Sequence, residues 1–381
     1  MNISRRVFLS GSASLIVTAP MLSKGFASGI TKKNLVVVML RGGMDGLTAV
    51  PFIGNDILAK ARPDIGVDKP IKVTSNFALH PRLKKFKQLW DEDKASIIHA
   101  TSIPYIGRSH FEGQYLMESG GTKPYYDKTG WLGRALEGAG RKSLSISLPM
   151  PLILRGGQNL DNFMPSRNSL PTDDTLKILA ADYKNDEMLS KVLNTIRKRP
   201  LAMMQTSKNS SQDVKRLAKI AGQQLIQPNG PSVAVFDIAG FDTHSNQGGD
   251  YGEHAKKLKQ FDEIIGTLED ELGSAFEDTI IVSLTEFGRT VDQNGGSGTE
   301  HGYGSAILMA GGLLPKSKII GDWPGLEKKN LFEGRDLDSS IDARAVYASI
   351  LARVLDRDHK EIVKNAFFNG NLPDMTQRIF G

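Results

Sequence analysis

Three short apolar runs constrain this chain most, because none of them alternates with polar residues. Asn34 to Leu40, Ser232 to Ile238 and Thr279 to Leu284 read as strands that must be covered on both faces. A fourth run, Ala306 to Ala310, is short, apolar and bounded by breakers in the same way. Helical patterns lie between the runs. Pro81 to Asp93 carries Leu83, Phe86, Leu89 and Trp90 on one side, and Leu258, Phe261, Ile265, Leu268 and Leu272 form a stripe at spacings of three and four. His254 lies on that stripe and reads as a structural histidine. Further strands are expected at Ala95 to His99 and Ser143 to Leu148. Further helices are expected at Phe111 to Glu118, Gly130 to Gly140, Asp342 to Leu355 and His359 to Phe367. This order predicts an α/β fold with central parallel strands covered by helices. Pro149 to Gln227, with Pro and Asn clusters followed by helical patterns, reads as a helical insertion or cap.

The amino terminus supplies an address. Arg5-Arg6 precedes a weakly apolar run from Gly11 to Leu22, and Gly25-Phe26-Ala27 suits cleavage after Ala27. Residues 1–27 therefore read as a twin-arginine signal, which implies the twin-arginine export machinery as a partner and a periplasmic or secreted product. The apolar run is too short and too rich in Ser and Gly to span a membrane, so no stable span is expected in the mature form. Residues 28–381 remain as one domain. The formal charge of +6 falls to +3 without Arg5, Arg6 and Lys24, and no basic stripe interleaved with aromatics argues for nucleic acid. The chain has no cysteine, so a metal would be held by His and carboxylates.

Candidate chemistry gathers where core strands end. Asp45, Asp242, His244 and Glu286 each follow one, and His301 lies in the loop before another. Carboxyl ends of parallel strands share one edge, so the first four can converge. Asp242 and His244 are two apart, point to one side of an extended segment, and with His301 form a set compatible with zinc or another divalent ion. Asp45 and Glu286 could complete that sphere or hold a second ion. The same Asp-Thr-His spacing also fits plain loop chemistry, with Asp accepting backbone amides. Ser109 stands where a helix N-cap belongs, flanked by Arg108 and His110. No G-x-x-x-x-G-K-[ST], H-E-x-x-H or G-x-S-x-G motif is present.

These segments occur in an order that resembles the bacterial "domain of unknown function 1501" family. They are Arg41-Gly42-Gly43-Met44-Asp45-Gly46-Leu47, Arg108-Ser109-His110-Phe111, Phe241-Asp242-Thr243-His244, Thr285-Glu286-Phe287-Gly288-Arg289 and Glu300-His301-Gly302. Trp323-Pro324-Gly325-Leu326 and Arg335-Asp336-Leu337 are similar to it too. The resemblance extends distantly to the alkaline phosphatase and sulfatase superfamily. It implies a doubly wound, mostly parallel α/β sheet with helices on both faces and, for active members, hydrolysis of phosphate or sulfate esters at one or two divalent metals. In that reading Asp242, His244 and His301 are metal ligands, joined by Asp45 and Glu286, and Ser109 is the nucleophile, with Arg108, Arg289 or the helix N-terminus near Ser109 holding the anionic ester. Alkaline phosphatases commonly carry an Asp-His pair where this chain has Glu286-Phe287. Two functions stay open: a metal-dependent ester hydrolase, and a non-catalytic secreted binding or assembly protein on the same scaffold.

Overall fold

Asn34–Arg41 (β1) is the central strand because its side chains feed two separate apolar layers. Leu35, Val37 and Met39 enter one layer and Val36, Val38 and Leu40 the other, and none is more than 1% exposed. The computed structural model describes residues 32–147, 149–163, 173–197, 213–368 and 371–381. The signal segment expected at residues 1–27 lies outside the described residues.

Ile71–Lys72 (β2) and Ala78–Leu79 (β3) form a small antiparallel ribbon. Ala95–Ser102 (β4), Ser143–Ile146 (β5), Leu160–Asn162 (β6), Val233–Ala239 (β7) and Thr279–Leu284 (β8) join β1 in the main sheet. Ser305–Ala310 (β9), Ile319–Ile320 (β10) and Ile341–Asp342 (β11) complete the nine strands it has among the described residues. Their order is β10-β4-β9-β8-β1-β7-β5-β6, with β11 beside β4. Every pairing in it is parallel except those of β9 with β4 and with β8. One reversed strand has a functional consequence. It brings the amino end of β9 to the edge where β1, β4, β7 and β8 have their carboxyl ends.

Helices cover both faces, as the unalternating strands require. Lys84–Asp91, Val214–Leu225 and Glu253–Leu272 fill one layer with Phe86, Leu217, Leu258, Phe261 and Ile265. His110–Ser119, Trp131–Leu136, Ala343–Leu355 and His359–Phe367 fill the other, where Trp131 stacks on Tyr347 and Phe367 at 5.4 and 5.5 Å. The helix expected from Gly130 to Gly140 is shorter than its apolar pattern. It stops at Leu136, and Gly138 and Gly140 then adopt φ of 66° and 62°, which a right-handed helix cannot contain.

The stretch from Pro149 to Gln227 is not wholly an insertion. Its described residues supply the edge strand β6, paired with β5, and the helix Val214–Leu225, packed on Glu253–Leu272. Pattern alone could not show this, because a three-residue edge strand has no measurable period. Among the described residues, no helix is long and apolar enough to cross a membrane.

Candidate metal centre

Three loops meet at the edge where the core strands end. His110 opens the helix after β4, Asp242 and His244 follow β7, Glu286 and Arg289 follow β8, and His301 precedes the reversed β9. At the middle is one carboxylate oxygen. Asp242 Oδ1 lies 3.2 Å from His110 Nε2, 3.0 Å from His244 Nε2 and 3.2 Å from His301 Nε2. The Nε2 atoms of His244 and His301 are 2.9 Å apart.

Each ring is fixed from behind through its other nitrogen. His110 Nδ1 meets Glu286 Oε1 at 2.8 Å, His244 Nδ1 meets Glu300 Oε2 at 2.8 Å, and His301 Nδ1 meets the Arg108 carbonyl at 2.7 Å. Carboxylate and carbonyl oxygens only accept, so in a neutral ring each Nδ1 carries the proton and each Nε2 turns a lone pair to the centre. Two bare nitrogens 2.9 Å apart repel unless a proton or a cation sits beside them.

A divalent cation fits this arrangement. Tetrahedral ligands at bonds of ~2.0 Å lie roughly 3.3 Å from one another, close to the separations found here. His110 Nε2 is buried and faces the Asp242 carboxylate at 3.2 Å. Imidazoles and a carboxylate suit zinc and neighbouring first-row ions, and His110, Asp242 and His301, whose donor atoms all lie within 4.8 Å of one another, would hold it, with His244 Nε2 beside Asp242 and His301.

The electrostatics keep the carboxylate charged. Burial alone pushes Asp242 up, but the Arg289 guanidinium and then His110 outweigh it and hold its pKa far below the usual carboxylate range. Burial disfavours the protonated form of His110, yet Glu286 and Asp242 more than offset this and raise its pKa. His301 moves the other way, lowered by burial and by the nearby charges of His110 and Arg289 despite the Arg108 carbonyl.

The expected site residues divide into groups. Asp242, His244 and His301 come together. Glu286 stands one step back: fully buried, it accepts from Gly42 N and Gln114 Nε2, both at 2.9 Å, and orients His110. Asp45 is placed in a different network. It caps the short helix Gly46–Ala49, accepts from Thr48 Oγ1 at 2.8 Å and Gln247 Nε2 at 2.6 Å, and pairs with buried Arg62 at 2.7 Å. A buried guanidinium demands a buried partner, and Asp45 is that partner. Ser109 occupies the N-cap position of His110–Ser119, but its side chain makes no cap hydrogen bond.

Both arginines expected to hold an anion are committed within the protein. Arg289 is 1% exposed and donates to Gly43 O (2.9 Å), Thr299 O (3.1 Å), Phe241 O (3.1 Å), Gly42 O and Asp242 Oδ1 (2.6 Å). Arg108 pairs with Glu333 at 2.6 Å and Asp336 at 2.7 Å. Phe287, which has no ligand atom, packs its ring against those of His110 and His301 at 4.9 and 5.0 Å.

Sequence reasoning did not place His110 among the ligands, nor Glu300 behind His244. The signal for His110 was present: it follows β4 in the way that Asp242 follows β7. His254 is structural as read, buried, with Nε2 accepting from Asp45 N at 3.1 Å.

Gly42 sets the approach of β1 to Asp242. Its φ is +113°, and a Cβ there would lie 2.4 Å from Asp242 N. Gly42→Ala is expected to cost roughly 3 kcal/mol, read as a lower urea midpoint, and to weaken metal uptake by displacing Asp242.

Fold and cluster together define an α/β protein with a candidate three-histidine, one-carboxylate centre at the edge of its sheet. The chain belongs to the family described as "Protein of unknown function (DUF1501)", whose model matches residues 94–367 and so spans every residue of the cluster. No curated protein gives a match. Solved structures are similar only at low identity. The PsFucS1 sulfatase from Pseudoalteromonas sp. is 12% identical, covering 92% of this chain and 72% of that one, with a TM-score of 0.45. Alkaline phosphatase from the Antarctic bacterium TAB5 is 9% identical, covering 86% and 99%, with a TM-score of 0.44. The C-terminal periplasmic domain of EcEptC from Escherichia coli, in complex with Zn, is 10% identical, covering 85% and 82%, with a TM-score of 0.40. The fold class rests on the sheet itself.

Proposed function

We propose that this protein is an exported, metal-dependent hydrolase of phosphate or sulfate esters. The observation that carries the reading is the convergence of three Nε2 atoms on Asp242 Oδ1, with that of His110 buried. A divalent ion held there would supply Lewis acidity toward an ester oxygen and lower the pKa of a hydroxyl or water near it. The chain's own groups support the rest. Glu286, Glu300 and the Arg108 carbonyl hold three Nδ1 protons outward, and Arg289 balances the charge of Asp242. Ser109, whose hydroxyl is not spent on capping, precedes His110 and is the nucleophile in this reading. The first amides of the ten-residue helix His110–Ser119 lack intrahelical acceptors and attract an anion, the task for which Arg108 and Arg289 are not free.

That commitment of both arginines is also what favours the second reading, a secreted binding or assembly protein that keeps the centre without turnover. One experiment separates them. Protein loaded with zinc or manganese is assayed on aryl phosphates, phosphodiesters and aryl sulfates. Turnover is expected with at least one class, and Ser109→Ala should abolish it while leaving metal content unchanged. A stoichiometrically loaded protein inert across the panel would overturn the hydrolase and favour the binding protein.

A further inference from the structure

We propose that Asp336 is a positioning residue for His301, acting through Arg108 and Arg335; the proposal rests on the metal-centre reading above. His301 differs from the other two rings. Their Nδ1 atoms are held by carboxylates, whereas His301 Nδ1 is held by a main-chain carbonyl, that of Arg108. Arg108 has φ of +54°, a left-handed conformation that costs a non-glycine residue of order 1 kcal/mol or more. Its carbonyl faces His301 only while the residue is held in that conformation.

Asp336 does the holding. Its carboxylate is fully buried, and Oδ2 accepts from Arg108 Nη2 at 2.7 Å and Nε at 3.2 Å. The same carboxylate takes Arg335, with Nε donating to Oδ1 at 2.8 Å and Nη2 to Oδ2 at 3.1 Å. Arg335 Nη2 also donates to the carbonyl of His301 at 2.7 Å. The ring of His301 is thus steered through Arg108, and its main chain through Arg335, from one buried charge. Glu333 adds a second, more exposed partner to Arg108, at 2.6 Å. The Arg335-Asp336-Leu337 segment, remote from the cluster in sequence, gains a role by this route.

Asp336→Asn keeps the shape, removes the charge and turns an amide donor toward two guanidinium groups. Zinc affinity should fall about 10–100-fold, as for other losses behind a metal-bound imidazole. The loss should vanish in a His301→Ala background, because the effect runs through that ring. A second readout needs no metal. Long-range proton–nitrogen spectra of the metal-free protein should show His301 as the Nδ1–H tautomer in wild type and as a mixture in Asp336→Asn, with His244 unchanged. Should Asp336→Asn not fold, Arg108→Gln leaves Asp336 paired with Arg335, frees the carbonyl, and should change the His301 tautomer alike. An unchanged tautomer, or an affinity loss of equal size with and without His301, would overturn the proposal. A wild-type protein that takes up no zinc would sink the metal reading alone, and the tautomer spectra would still decide the role of Asp336.

Discussion

Alanine at His110 is expected to strip tight zinc binding from the purified protein, by more than the roughly 10–100-fold that loss of an outer partner costs. His110, Asp242 and His301 offer donor atoms that all lie within 4.8 Å of one another, and His110 Nε2 is buried. Removing that ring also leaves Glu286, fully buried and held below its usual pKa chiefly by His110 and Gln114 against the cost of burial, with one charge-assisted partner fewer. The effect has a thermal signature. Zinc at about a thousand times its Kd stabilises a folded protein by about 4 kcal/mol, or roughly 5 °C in Tm for a chain of this length. A chelator should therefore lower the Tm of wild type and leave that of His110→Ala unmoved. Equal zinc content in wild type and His110→Ala, measured after dialysis, would remove His110 from the centre. Glu286→Gln and Glu300→Gln should fall between the two, since each loosens one ring without deleting a ligand.

The second large effect is on stability, and it is set by acid. Urea unfolding in the presence of a chelator should show stability falling by about 4 kcal/mol between pH 6.5 and 5. Two buried rings carry it. Burial lowers His99 from 6.5 to about 4, against the Val50 carbonyl 3.0 Å from its Nε2. Burial lowers His254 from 6.5 to about 3, with Asp45 opposing. Both rings are neutral in the fold, while the unfolded chain protonates them below 6.5. Their contribution is therefore complete above 6.5 and is lost as the pH falls, at about 1.4 kcal/mol per pH unit for each, until the folded values are reached. His80 is lowered too, mainly by burial, and adds with the same sign. His110 is raised, so its contribution is already present below 6.5 and is lost only as the pH rises above that value. Carboxylates enter only later. Burial raises Asp45, but Arg62 and His254 bring it down to about 2, so its contribution is intact above 3.8 and lost only as pH falls between 3.8 and about 2. A flat profile from pH 6.5 to 5 would show that these rings are solvated.

Much of the layered architecture could be read from the chain. An apolar run without alternation has to be buried on both sides, and Thr279 to Leu284 and His359 to Phe367 have the bounds that their patterns gave. Polar capping and glycine placement were harder. The helix from Trp131 ends early because of backbone conformation at Gly138 and Gly140, which hydrophobic period does not register. The strand β6 and the helix Val214–Leu225 were legible as elements only in part, and their attachment to the main sheet was not.

The site divides along the same line. Sequence by itself determined which residues lie at strand ends, since a strand's bounds follow from local apolar pattern, and so singled out Asp242, His244 and His301. Only the tertiary structure decided which polar groups were already satisfied. Asp45 and Asp242 both follow core strands, yet Asp45 is closed in by Arg62, Thr48 and Gln247, whereas Asp242 faces the Nε2 atoms of three imidazoles. Hydrogen-bond satisfaction depends on partners far apart in sequence, such as Gly42 and Glu286, 244 positions apart. The reversal of β9 is equally non-local, because strand direction is set by pairing across the sheet, and it is what brings His301 to the edge where Asp242 stands.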